Sequence, residues 1–158
     1  MKIGVLGTGA VGNAIGTKLI QLGHQVKMGS RPANNKKALK WVSASGANAT
    51  TGTFADAAAF GELLFNCTGG KVTLDALTAA GAENMRNKIL VDISNPLDFS
   101  KGMPPSLTVC NTDSLGEQIQ RAFPDTKVVK TLNTLTNPLM VNPMAVANGD
   151  HHIFVGGN

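Results

Sequence analysis

Three glycines near the amino terminus stand at a spacing that chemistry can use. Gly7-Thr8-Gly9-Ala10-Val11-Gly12 reads GxGxxG, a pattern that is weak alone and gains meaning from its setting. Ile3 to Leu6 precede it and read as a short buried strand. Beyond it Val11, Ala14, Ile15, Leu19 and Leu22 recur at three- and four-residue intervals, the apolar stripe of an amphipathic helix. A strand, a glycine turn and a helix opening directly from the turn are the setting in which this spacing binds a dinucleotide. Gly7 would permit the tight turn, Gly9 would let the backbone approach a pyrophosphate, and Gly12 would let helix and strand pack closely. With Thr8, Ala10 and Val11 completing the turn, free N–H groups and the partial positive charge of the helix amino end face the phosphates.

About 20 residues beyond such a turn, a domain that binds NAD places Asp or Glu against the adenosine ribose 2′-hydroxyl. This chain places Gly29-Ser30-Arg31 there. A carboxylate would repel a 2′-phosphate, whereas a guanidinium grips it with two charge-assisted bonds and a serine hydroxyl can add another. The expected ligand is therefore NADP(H), with Lys36 or Lys37 adding positive charge nearby. The charge distribution agrees. Residues 1–55 hold no Asp or Glu against seven bases, and the rest of the chain holds ten acids against seven bases.

Three later strand ends would meet the same edge of a sheet. Thr68-Gly69-Gly70 reads either as a close approach to the cofactor ribose or as a plain turn. Ser94-Asn95-Pro96-Leu97 could offer amide and hydroxyl groups to a carboxamide, and Asn-Pro is equally a turn starter. Asn133-Thr134 has the same two readings. No Ser-His-Asp set or carboxylate pair stands out, and the three histidines, His24, His151 and His152, read as loop residues or polar flanks of a strand. Hydride transfer between bound rings needs proximity and orientation more than a proton donor. Alcohol or hydroxy-acid oxidation, which calls for a base, fits less well. No catalytic side chain is assigned.

The elements that would position these residues alternate. Strands are expected at 3–6, 25–28, 47–50, 62–67, 89–93, 128–132 and 152–155. Helices are expected at 11–22, 33–43, 54–60 and 74–80. Ser114 and Glu117, at capping-box spacing, open another that bears Leu115, Ile119 and Phe123. Residues 99–108, with Gly102 and Pro104-Pro105, read as an irregular loop. The fold class is α/β, a doubly wound and mainly parallel sheet of the Rossmann type, forming a single NADP-binding domain over 1–158. The last strand runs out with no helix after it, so that side of the sheet is bare or covered by a partner or a further segment.

Composition sets outer bounds. The 158 residues are 42% hydrophobic and 15% charged, with no apolar run long enough for a membrane span or a signal sequence. A soluble, cytoplasmic protein is expected, without a membrane partner. Cys67 and Cys110 have no metal-site spacing, so both read as reduced thiols, and no metal is expected. Aromatics make up 4% of the chain with no tyrosine. Base stacking would have little to use, and nucleic acid is not expected despite the net charge of +4.

With these motifs in place, the chain resembles the NADP oxidoreductases that depend on the deazaflavin coenzyme F420. The likeness runs through Met1 to Gly9, Gly29-Ser30-Arg31, Val91-Asp92-Ile93-Ser94-Asn95-Pro96-Leu97 and Val129-Lys130-Thr131-Leu132-Asn133-Thr134. It implies a Rossmann fold in which Thr8, Ser30 and Arg31 bind the 2′-phosphate side of NADP. In that family a short helical segment follows, helping to form a homodimer and the acceptor site. These 158 residues stop before it, as a truncated product or a naturally short member would. The implied activity is hydride transfer between NADPH and a deazaflavin or flavin-type small-molecule acceptor. Two alternatives stand beside it: an NADPH-binding redox sensor without turnover, and a relative of the imine and β-hydroxyacid reductases.

Overall fold

The protein is described by a computed structural model over residues 1–157. Its strands are β1 (Lys2–Leu6), β2 (Gln25–Ser30), β3 (Ala49–Thr53), β4 (Leu63–Asn66), β5 (Ile89–Asp92), β6 (Leu97–Asp98), β7 (Ser106–Leu107), β8 (Lys127–Thr131) and β9 (Val155–Gly157). The helices are α1 (Ala10–Gln21), α2 (Lys36–Ser45), α3 (Phe54–Phe60), α4 (Thr73–Ala80), α5 (Ala82–Met85), α6 (Leu115–Ala122) and α7 (Asn137–Val141). Seven strands make one sheet in the order β3-β2-β1-β4-β5-β8-β9. All neighbours are parallel except β9, which runs antiparallel to β8.

Alternation along the strands sorts the two faces of the sheet. Gly4, Leu64, Leu90 and Val128 stand side by side in register. The last three pack with Ala57, Leu77, Met85 and Ile119 of α3 to α6 on one face. Ile3, Val5, Val26 and Met28 point the other way, against Ile15, Ala38 and Trp41 of α1 and α2. Burial on both faces explains why the central strands read as short continuous apolar runs. After β3 the chain returns to place β4 on the far side of β1. The switch in winding therefore lies between β1 and β4, and a crevice opens beyond their carboxyl ends.

The expected fold is the observed one, with local corrections. The second helix starts at Lys36 rather than 33, because Asn35 Oδ1 accepts from the N–H groups of Lys37 (2.9 Å) and Ala38 (3.2 Å) and so sets the amino end. The third strand covers 49–53 rather than 47–50, and Thr53 closes it by forming a reciprocal capping box with Asp56. The last strand is 155–157 rather than 152–155. The 99–108 loop carries one arm of a two-residue ladder between β6 and β7. The short helices α5 and α7 were not anticipated. No helix of the described residues is long and apolar enough to cross a membrane.

Candidate functional site

The glycine turn sits at the switch in winding. Gly7 has φ +120°, and a Cβ there would lie 2.7 Å from the Cys67 carbonyl oxygen. Only glycine fits both the conformation and the gap. Gly12 is buried, and a side chain on it would collide with the Gly7 carbonyl. Gly9 is the opposite case: it is exposed, caps α1, and has nothing within 4 Å of where a Cβ would be. The first turn of α1 has no acidic residue, and Gly9 supplies no side-chain cap. Free backbone donors thus face open space at the positive end of a twelve-residue helix.

At the end of β2, Ser30 is buried and its hydroxyl donates to the Pro32 carbonyl at 2.7 Å. Its oxygen remains an acceptor, and donating to a phosphate requires that hydroxyl to rotate away from Pro32. Arg31 is exposed and makes no ion pair among the described residues. Lys36 is exposed at the first position of α2. A cavity of about 450 Å³ lies along the seam of α1 and α2, lined by Thr8, Gly9 and Ala10 together with Lys37, Lys40 and Trp41. Trp41 is locked there by its Nε1–H, which donates to Thr17 Oγ1 at 3.0 Å.

The later strand ends form the other half of the edge. Gly70 N–H donates to the Asn95 carbonyl at 3.1 Å, which fastens the 68–70 and 94–96 loops together. Asn95 Nδ2 donates to the Asn133 carbonyl at 2.7 Å, and Asn133 Nδ2 returns a bond to Asn95 Oδ1 at 3.2 Å. Thr68, Gly69, Asn95, Pro96 and Asn133 are thus drawn onto one wall that continues from the glycine turn. A cleft of about 880 Å³ begins at Asn95, Pro96 and Asn133 and extends across Lys130 to the start of α6. Arg31 and Lys36 lie toward the opposite end of the edge, as the strand order requires.

Sequence reasoning missed the polar core beneath this wall. Asp92 is fully buried, and its Oδ1 accepts from Asn66 Nδ2 (2.7 Å), Ser94 Oγ (2.7 Å) and Ser94 N–H (3.2 Å). Its Oδ2 takes Lys130 Nζ at 2.7 Å. Asn66 Oδ1 in turn accepts from Thr68 Oγ1 at 2.7 Å, and Thr68 and Thr73 share a hydroxyl contact of 2.8 Å. The available signal was a charged residue inside each of two apolar strands, Asp92 and Lys130, at matching positions. Burial, together with the Asp92 charge, pushes the neighbouring Cys67 thiol well above its usual range, so it remains a protonated, unreactive group. Of the histidines, His24 and His151 are half-buried and His152 is exposed.

The comparisons with known proteins agree with this fold. The family described as NADP oxidoreductase, coenzyme F420-dependent, matches residues 2–96. A protein from Arthrobacter sp. FB24, assigned as an F420-dependent NADP-reductase, has a solved structure that superposes with TM-score 0.94 at 54% identity, over 100% of this chain and 74% of that one. A Sinorhizobium meliloti protein follows at TM-score 0.78 and 22% identity, over 100% and 73%. The Plasmodium falciparum pyrroline carboxylate reductase, solved with NADP bound, shares the fold at TM-score 0.63 and 12% identity, over 100% and 48%. No curated protein matches the sequence. On the family match and the 54% identity, the chain belongs to the coenzyme F420-dependent NADP oxidoreductases and is an NADP-dependent oxidoreductase.

Proposed function

We propose that the chain passes hydride between NADPH and a deazaflavin or flavin-type ring held in the cleft beside Asn95 and Asn133. The observation that carries this reading is the placing, along the carboxyl edge of one parallel sheet, of Arg31 at the end of β2, the open space at Gly9 after β1, and the 880 Å³ cleft beyond β5 and β8. A dinucleotide needs such a path, with bare backbone donors at its middle and cations at one end. The residues fit the group: the Gly9 cradle is empty where a side chain would block it, and no carboxylate faces it from the first turn of α1.

In this reading Gly7, Thr8, Gly9, Ala10, Val11 and Gly12 form the pyrophosphate turn. Arg31 and Lys36 supply charge for the 2′-phosphate, with Ser30 beside them. Thr68, Gly69, Asn95, Pro96 and Asn133 wall the nicotinamide side. When bound, the cofactor supplies the hydride at its nicotinamide ring. The protein's own contribution is to hold two flat rings in reach and to keep water out. A small-molecule acceptor serves as partner, and the family resemblance supports a homodimer.

Two measurements test the reading. NADPH consumption is followed with the deazaflavin coenzyme and with FMN, and NADPH and NADH binding are titrated on the same sample. Fast turnover with either ring supports it; tight NADPH binding with no turnover favours a sensor instead. Arg31→Ala is expected to weaken NADPH by roughly 10- to 150-fold, the worth of about 1.5–3 kcal/mol for a charge-assisted contact, and to leave NADH unchanged. Equal losses for both nucleotides would remove Arg31 from the 2′-phosphate.

A further inference from the structure

Asn66, Asp92 and Lys130 stand in one cross-strand row. Asn66 is the register partner of Asp92, and Asp92 that of Lys130. In a parallel sheet such partners point to the same face. Here that row lies at the carboxyl end of the strands, just beyond the apolar row of Leu64, Leu90 and Val128. The charged pair within it is oriented. The Asp92 side chain has 0% exposure and faces inward, whereas the Lys130 side chain keeps 26% and lines the cleft beside Asn95 and Asn133.

An ammonium has three protons to give. Lys130 gives one to Asp92 Oδ2 and one to the Ser94 carbonyl. Among the described residues nothing accepts the third. The remaining charged groups on the cleft belong to α6 and the turn before it. Arg121 and Asp113 are occupied with each other, through contacts of 2.9 Å and 2.7 Å. Glu117 is exposed in the first turn of α6. Cys110, also on the rim, is an exposed thiol. Arg121 keeps further N–H donors at the exposed rim, whereas Lys130 has one donor to spare and is the cation of the cleft whose geometry is fixed by a buried counter-charge.

Resting on the acceptor reading above, we propose that Lys130 is a catalytic residue whose free N–H meets the N–C=O edge of the acceptor ring. Hydride transfer breaks a C–H bond in the donor and forms a bond to hydrogen at the central ring atom of the acceptor, a carbon in a deazaflavin and a nitrogen in a flavin. The π-pair displaced from that atom settles on the N–C=O edge as negative charge, which later takes a proton from water. A preorganised ammonium at that edge stabilises the charge as it forms. The fixed bonds to Asp92 and Ser94 mean that no reorganisation is needed at that moment. Asp92 is a positioning residue, acting through Lys130.

Three proteins test this: wild type, Lys130→Met, and the double variant Lys130→Met with Asp92→Asn. The single variant strands a buried carboxylate, so it is expected to lose stability as well as rate. The double variant removes both charges and is expected to melt near wild type, with NADPH affinity unchanged within about threefold, while kcat stays down by about 100-fold. A second readout needs no turnover. The oxidised deazaflavin ring ionises with a change in its visible band, and the midpoint of the bound ring is expected to be about one pH unit lower in wild type than in the double variant. Recovery of kcat together with melting temperature, or equal midpoints, would overturn the proposal by making the pair purely structural. Wild type that binds neither the deazaflavin coenzyme nor FMN would overturn the acceptor reading, and this inference with it. Turnover that survives undiminished in the double variant would overturn this inference alone.

Discussion

Replacing Gly9 by alanine separates a role in binding from a role in folding. The added methyl meets no protein atom within 4 Å, and the backbone there, at φ −76° and ψ −172°, is open to any residue. Two small terms act on the free protein. Alanine is a poorer helix cap than glycine, by about 1 kcal/mol, and the stiffer unfolded chain gives back about 0.4–1 kcal/mol. The net is close to zero, so the melting temperature of the free protein should move by no more than about 2–4 °C, the shift per kcal/mol for a chain of this size. Binding responds differently. If the pyrophosphate comes within hydrogen-bonding distance of the Gly9 backbone, the methyl occupies its place, and loss of even one charge-assisted contact removes about 1.5–3 kcal/mol. NADPH affinity should then fall by roughly 10- to 150-fold. Thermal melts without nucleotide and a fluorescence titration with NADPH read the two effects independently. Gly12→Ala is the control, since its methyl collides with the Gly7 carbonyl and should lower the melting temperature of the free protein outright. Unchanged NADPH affinity in Gly9→Ala would refute the assignment of the open cradle to the phosphates.

The remaining expectations concern titration and reactivity. The Asp98 carboxyl is held at about 2, below the ordinary 3.8, by its bond to Lys71 Nζ and then by Ser100. A depressed folded-state value means that its local contribution is complete above about 4 and is lost as pH falls toward 2. An NMR titration should find that midpoint, and Lys71→Met should raise it toward 3.8. Cys110 is exposed and Cys67 buried with a raised thiol. A thiol reagent at pH 8 should therefore label one cysteine in the native protein and two after unfolding, and rapid labelling of both in the native state would contradict the buried setting of Cys67.

Much of this fold was written in local pattern. Continuous apolar runs marked β1, β4, β5 and β8, because strands covered on both faces have no polar side to show. The glycine spacing marked the first turn, because two of its three glycines are required by backbone contacts that any larger side chain would break. The missing acid after β2 was visible for the same reason: it is a local substitution at a fixed distance. What stayed hidden depends on register. The charges inside β5 and β8 hint at a pair, but only the register says that Asp92 stands beside both Asn66 and Lys130, which are 26 and 38 positions away. The start of α2 was misplaced because Asn35 competes as a cap with the preceding Pro32-Ala33-Asn34. Helix α7 was missed because five residues are too few to show a period.

The floor of the cleft is fastened at several points. Gly70 bonds to Asn95, Asn95 and Asn133 exchange amide bonds, and Asp92 ties β5 to both β4 and β8. A surface held in this way keeps its shape whether or not anything rests on it. Adaptation to an incoming ring falls instead to the segments that border it without joining the main sheet, residues 97–113 on one side and 132–154 on the other. The kinetics of entry and exit should then follow the motions of those borders, on the microsecond-to-millisecond scale of loops. The selectivity of the floor, by contrast, is set once, when the protein folds.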